Sequence, residues 1–225
     1  MTYGLGRRLN HDERSRAFPA RTATQLKSVR HKRWIPALDQ GAIGSCTGHA
    51  MTGALYTAPV YGRAWRKIDS RQSSPILHGM LAEQLYSEAT IVDPFPGIYP
   101  PEDTGSSGLA VCKAAQARGL IKSYRWAFGI DQALAALVLG PVLLGVNWRQ
   151  DMFTPNAKGI VTYSGPIVGG HEFMATGLNV RTRMVECWNS WGPQWGSQGR
   201  FYLPFDELDR ALKEDGDACV VNGDG

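Results

Sequence analysis

The sequence predicts an α+β protein, with a helical N-terminal lobe and a β-rich C-terminal lobe. Two observations carry this. Up to Gly140 the ordered segments read as helices bounded by Ser, Pro and Gly, and after it come short β-type runs separated by glycine. Helices first and strands afterwards suit an α+β arrangement better than an alternating parallel sheet. The 225 residues are 43% hydrophobic, enough to bury a sizeable core as one domain or two closely packed lobes. No internal repeat or low-complexity tract is present.

Residues 1–33 read as an extended, partly loose arm. A turn-rich approach from Trp34 to Gly41 leads into a helix starting near Cys46, with Ser45 as its N-cap. Its small residues (Gly48, Ala50, Gly53 and Ala54) suit close packing inside the protein. A second helix begins after Ser74-Pro75, serine capping and proline in the first turn, and runs towards Ala89. Residues 93–107 are rich in Pro, Gly and Ser and read as loop. A third helix covers Gly108–Arg118 and stops at Gly119, and a fourth lies near Asp131–Leu139. Strands are expected at Val142–Trp148, Gly159–Tyr163, Glu172–Asn179, Met184–Trp188 and Arg200–Leu203. The division is therefore an arm (1–33) and a body (34–225), with a helical lobe at about 40–125 and a β-rich lobe at about 126–225.

Charge is unevenly placed. The net +4 arises from nine Lys or Arg in residues 1–33 against Asp12 and Glu13, while the remainder holds 15 basic and 18 acidic residues. Such an arm is either a solvated, mobile terminus or a docking element for an acidic or phosphate-bearing partner. No basic stripe interleaved with aromatics continues into the body, so nucleic acid is not an expected partner. No apolar stretch follows the N-terminal charges, and the run from Ala133 to Val146 is too short for a membrane span. The four cysteines (Cys46, Cys112, Cys187 and Cys219) show neither zinc-type pairing nor a disulfide framework. Reduced thiols and cytosolic synthesis are expected, with Cys112, Cys187 and Cys219 as packing thiols. Cys46 and His49 have no further ligand close by, so neither a metal site nor a cofactor is expected.

The chemistry starts at Gln40-Gly-Ala-Ile-Gly-Ser-Cys46. A cysteine opening a helix sits beside unpaired N–H groups at the positive end of the helix field, which favours thiolate. The same N–H groups, with the Gln40 amide, can hold an oxyanion. A thiolate needs a proton partner. His11 and His31 lie in the arm, His78 lies on the second helix, and His49 lies one turn along the helix of Cys46. His171, after Gly169-Gly170 in the other lobe, can face the sulfur. Asn189 can accept an imidazole N–H and fix its tautomer, and Trp191 can shield that bond from water.

These segments resemble the papain-like cysteine peptidases: Gln-Gly…Gly-Ser-Cys at a helix start, Gly-His at a strand start, and Asn-Ser-Trp-Gly-x-x-Trp-Gly-x-x-Gly from Asn189. His171 and Asn189 follow Cys46 by 125 and 143 residues, in the family's order. The resemblance covers residues 34 to about 205. It implies a two-lobed fold with the cleft between the lobes, a Cys46–His171–Asn189 triad, Gln40 in the oxyanion hole, and a thioester intermediate in hydrolysis of peptide or protein substrates. It also implies Gly105, near Ser107, as a backbone partner of extended substrate. It places Glu172 beside the pocket for the side chain two residues before the cut, where a carboxylate would select basic residues.

Ile43 stands where disulfide-bearing members have cysteine, and Thr47 where an aromatic residue is common. No inhibitory propeptide is recognisable before residue 34, as in compact bacterial and phage members. Two rival functions share these residues: amidase, cell-wall peptide or isopeptide cleavage on the same triad, or a structural component of a larger assembly.

Overall fold

A computed structural model describes residues 3–64 and 74–222. Helices α1 (Cys46–Leu55), α2 (Tyr61–Ala64), α3 (Pro75–Val92) and α4 (Gly108–Ala117) form one side, and α5 (Gly129–Leu137) and α6 (Phe205–Lys213) flank the other. The strands are β1 (Val29–Arg30), β2 (Ser123–Trp126), β3 (Val142–Arg149), β4 (Ile167–Asn179), β5 (Met184–Trp188), β6 (Arg200–Pro204) and β7 (Asp217–Asn222). They pair antiparallel in the order β2-β7-β3-β4-β5-β6, with β1 joining β4. No described helix is long and apolar enough to cross a membrane.

The helix starts obey their sequence signals. Ser74 Oγ accepts the Leu77 N–H at 3.3 Å with Pro75 in the first turn, and Ser107 Oγ accepts the Ala110 N–H at 3.2 Å. Gly48 lets α1 press onto α3, because a Cβ there would overlap the Ala82 carbonyl oxygen. Every residue of α1 is buried as a result.

Two apolar cores form. One joins α1, α3 and α4 through residues such as Met51, Leu85 and Val111. The other fills the β-rich side around Trp148, Phe173 and Phe201. The cleft runs where α1 meets β4.

Three expectations change. Residues 159–163 form no strand of their own; they make a single bridge, Ile160 opposite Tyr202, in which Tyr202 N–H donates to the Gly159 carbonyl and Val161 N–H to the Tyr202 carbonyl. Ser45 sits at the N-cap of α1 without a side-chain cap bond, since its Oγ faces His49 Nδ1 at 3.2 Å. Most importantly, the arm is not loose. Ala20 N–H donates to Trp126, Ala23 N–H to Ala135, and β1 pairs with Gly177 and Leu178. Tyr3, Leu5, Ala20, Ala23 and Val29 pack on the β-side core. Backbone pairing and small apolar contacts hold the segment despite its charge.

Candidate active site

Cys46 opens α1, and its thiol is fully buried. Because Ser45 does not cap the helix, the first-turn N–H groups remain available at the sulfur. The N–H groups of Glu172, Gly6 and Thr47 lie against that sulfur. Glu172 is the residue after His171 on β4, so β4 carries the imidazole to Cys46.

His171 Nε2–H donates to Asn189 Oδ1 at 2.7 Å. The same oxygen accepts the Ser190 N–H at 2.8 Å, which fixes the amide's orientation. With Nε2 protonated, Nδ1 is the acceptor nitrogen, and it is buried without a hydrogen-bond partner. Trp191 stacks on the ring at 4.7 Å, and Trp148 meets it edge-on at 4.9 Å. Two indole rings thus pack against the imidazole, one of them from the Trp- and Gly-rich segment. His49 lies elsewhere: its Nδ1 faces the Ser45 carbonyl oxygen at 2.9 Å, so it is turned back along α1.

Gln40 is buried beside the same helix start. Ser190 Oγ donates to Gln40 Oε1 at 2.5 Å, and Gln40 Nε2 donates to the Ile43 carbonyl at 2.7 Å. The second N–H of that amide is thus steered by Ser190, a positioning residue the sequence reading missed although it sits inside the motif. A second missed support is Asp103. It accepts the Gly44 N–H at 2.8 Å and the Tyr86 hydroxyl at 2.5 Å, and Tyr86 in turn accepts the Gly105 N–H at 2.9 Å. That chain ties the cysteine loop to the turn that leads into α4.

The arm runs through this cleft. Gly4 N–H donates to the Gly41 carbonyl at 3.2 Å, and the Trp191 indole donates to the Gly4 carbonyl at 3.2 Å. Tyr3 stacks on the outer face of Trp191 at 4.6 Å. The Gly6 carbonyl accepts from Ser106 at 2.8 Å, Arg8 N–H donates to Ser106 at 2.7 Å, and Arg7 N–H donates to Gly170 at 3.0 Å. The backbone ladder thus runs through Ser106, one residue past Gly105. Gly105, at φ 68°, supplies the turn that lets Gly6 come close. Ser107 caps α4 and meets Asn10 at 3.4 Å. Residues 4–8 of the arm thus lie over the cysteine, with the Gly6 N–H at its sulfur.

This cover changes the electrostatics expected from the helix end. Burial pushes the Cys46 thiol up to about 12, against the pull of the surrounding N–H groups, and lowers His171 from 6.5 to about 4 despite its Asn189 bond. In the covered cleft the neutral thiol and imidazole are favoured over the ion pair. Rapid alkylation of Cys46 at pH 6 is accordingly not expected while the arm is seated.

Burial also lowers His49 from 6.5 to about 4. Between these values the unfolded chain binds protons that the native chain refuses, so stability is complete above pH 6.5 and falls as pH drops towards 4. Going from pH 7 to pH 5 should cost about 2 kcal/mol for each of the two histidines. Urea unfolding at the two pH values measures this, and His49→Gln should lose roughly half of the fall. An unchanged midpoint would contradict the buried neutral assignment.

No protein-family model matches the chain. Among solved structures it is similar to xylellain, a cysteine protease from Xylella fastidiosa. The TM-score is 0.73 at 19% identity, covering 98% of this chain and 96% of that one. The fold is papain-like. The digestive procathepsin L2 proteinase of Tenebrio molitor larval midgut shares this papain-like fold, with a TM-score of 0.60 at 16% identity over 98% of this chain and 78% of that one. The resemblance read from the sequence also appears in a curated relative, the viral cathepsin of Adoxophyes honmai nucleopolyhedrovirus. It is 26% identical over 231 residues, covering 94% of this chain. The chain spans 61% of that relative's length. Among the described residues, no group of three His, Cys, Asp or Glu is placed to hold a metal ion.

Proposed function

We propose that this chain is a cysteine endopeptidase in which Cys46 is the nucleophile, His171 the acid–base and Asn189 its orienter. The observation that carries the reading is the His171–Asn189 bond, which leaves His171 Nδ1 as a buried, unpartnered acceptor on the strand that reaches the Cys46 sulfur. With the arm out of the cleft, water and substrate replace the covering backbone. Nδ1 then takes the thiol proton, and the thiolate adds to the peptide carbonyl. The oxyanion is received by the N–H at the start of α1 and the Gln40 amide. Collapse expels the amine, which takes the proton from His171 and leaves a thioester. His171 then draws a proton from water as it attacks that thioester, and the acid product leaves Cys46 as before.

A thiol-directed epoxide tests the assignment, because it needs a thiolate, a proton donor and a peptide-shaped cleft. Mass mapping should place the label on Cys46 alone; equal labelling of Cys112 would overturn the nucleophile. Asn189→Ala should lower kcat by about one to two orders of magnitude, with a smaller change in KM. The imidazole loses its orienter and retains its chemistry. A kcat equal to wild type would remove Asn189 from the mechanism.

A further inference from the structure

A small cavity of about 10 Å³ lies between α1 and the strands that carry the triad. His49 lines it from α1, Glu172 from β4, Trp188 from β5, and Asn189 and Ser190 from the turn beyond. A space of that size admits about one water molecule, provided that polar groups are there to hold it. Two are present. His49 Nε2 and Asn189 Nδ2 are both buried without a hydrogen-bond partner, on residues only 3% exposed. Buried polar atoms are ordinarily paired.

The two atoms are opposite in kind. The Ser45 carbonyl can only accept, so its 2.9 Å contact with His49 Nδ1 puts the proton on that nitrogen. Burial keeps the ring neutral, and Nε2 is therefore a lone pair. Asn189 is engaged at its other end, where Oδ1 receives the His171 Nε2–H and the Ser190 N–H. Its Nδ2 has hydrogens to give and, among the described residues, no acceptor. The Asp39 carbonyl lies against the His49 ring, from a segment bridged to Trp191, and is a further acceptor.

We infer that His49 is a positioning residue for Asn189, acting through one water bound between Asn189 Nδ2, His49 Nε2 and the Asp39 carbonyl. The inference rests on the peptidase reading and adds to it a residue that orients the triad from behind. Both hydrogens of that water go to acceptors, the imidazole nitrogen and the carbonyl. Only its lone pairs face Asn189, so the amide must turn an N–H towards it. Oδ1 is then directed at His171, and the flipped amide, which would set N–H against N–H, is excluded. The order of donors runs from the Ser45 carbonyl, next to Cys46, through His49 and Asn189 to the His171 ring. It keeps the proton on His171 Nε2 and leaves Nδ1 for the thiol. The seam is closed to solvent, so bulk water does not replace a member that is lost.

The two nitrogens of His49 can be tested apart. His49→Asn keeps a donor near the Ser45 carbonyl and loses the outer acceptor, whereas His49→Gln keeps the outer acceptor and loses the inner donor. Both are made in the full chain and checked for folding by circular dichroism; His49→Ser serves if His49→Asn does not fold. The first readout needs no turnover. With ¹⁵N-labelled histidine, the His171 ring should show the Nε2–H tautomer in wild type and His49→Gln, and a mixture of both tautomers in His49→Asn. The second readout is peptide hydrolysis. His49→Asn should lower kcat about tenfold with KM unchanged, while His49→Gln stays within about threefold of wild type. In an Asn189→Ala background His49→Asn should lower kcat no further, because it acts only through that amide. The tautomer change without turnover in any variant, wild type included, would support the network while overturning the peptidase reading. A His171 ring unchanged in His49→Asn, or a His49→Gln no better than His49→Asn, would overturn the inference.

Discussion

Cys46→Ala is expected to lower hydrolysis of an unstructured protein substrate by at least about three orders of magnitude, with the circular dichroism spectrum unchanged. No other thiol can substitute. Cys112, Cys187 and Cys219 are buried, and burial raises the Cys187 and Cys219 thiols well above their ordinary range. Cys112 and Cys219 face each other at 3.3 Å, on α4 and β7. The measurement is best made in both the wild type and an Arg7→Ala background, so that cover and chemistry are separated. His171→Ala should fall as far as Cys46→Ala, and the double variant no further, because the two act as a unit. Should His49→Ala abolish turnover while His171→Ala does not, the base has been misassigned.

The largest effect on stability should come from Trp148→Ala, about 3–5 kcal/mol, seen as a lower urea midpoint with the same slope. Trp148 is fully buried on β3, and its ring meets His171, Trp191, Phe173, Phe201 and Trp195 within 6.4 Å. Truncation leaves a cavity that a close-packed aromatic cluster fills poorly. It also removes one wall of the His171 ring, so activity should fall in conditions where the variant is still folded. A loss under about 1 kcal/mol would mean that the cluster repacks and that the ring is held from the Trp191 side alone.

Much of the helical half was legible because its signals are local. Ser74-Pro75, Ser107-Gly108 and Gly119 mark boundaries that the structure keeps within a few residues. The β-rich half was legible where β-type residues run between glycines, as at β3 and β5. Helix α6 was missed although Phe205, Leu208 and Ala211 are its buried stripe, with Asp206 and Glu207 in its first turn and Arg210 and Lys213 in its last. That signal was recoverable. Strand β7 was harder: Ala218–Val221 reads as a short apolar tail, and only pairing with β2 and β3 makes it a strand. Asp217 therefore escaped notice, since nothing local places it across Gly145 from Glu172.

The arm misled for a physical reason. Its composition is dominated by Lys and Arg, whereas its docking uses the backbone of Gly4, Gly6, Arg7 and Arg8. Main-chain donors and acceptors are the same at every residue and leave no mark in a sequence. Of the candidate site, Cys46, Gln40, His171, Asn189 and Trp191 were all legible as candidates from local motifs, and contacts link His171 to Asn189 and Trp191 and Gln40 to Ser190. Ser190 and Asp103 were not, because they act on other residues' orientation.

The belt that follows residues 4–8 has a kinetic consequence. Residues 18–30 stay pinned to Trp126, Ala135 and β4 by bonds separate from those in the cleft. The cleft segment can thus lift on a short leash without leaving the molecule. A ligand on such a leash is present at its own site at an effective concentration of order millimolar, whatever the bulk concentration of the protein. Dilution does not relieve it, and its return is first order. A free peptide of equal affinity shares the cleft evenly only when it approaches that same concentration.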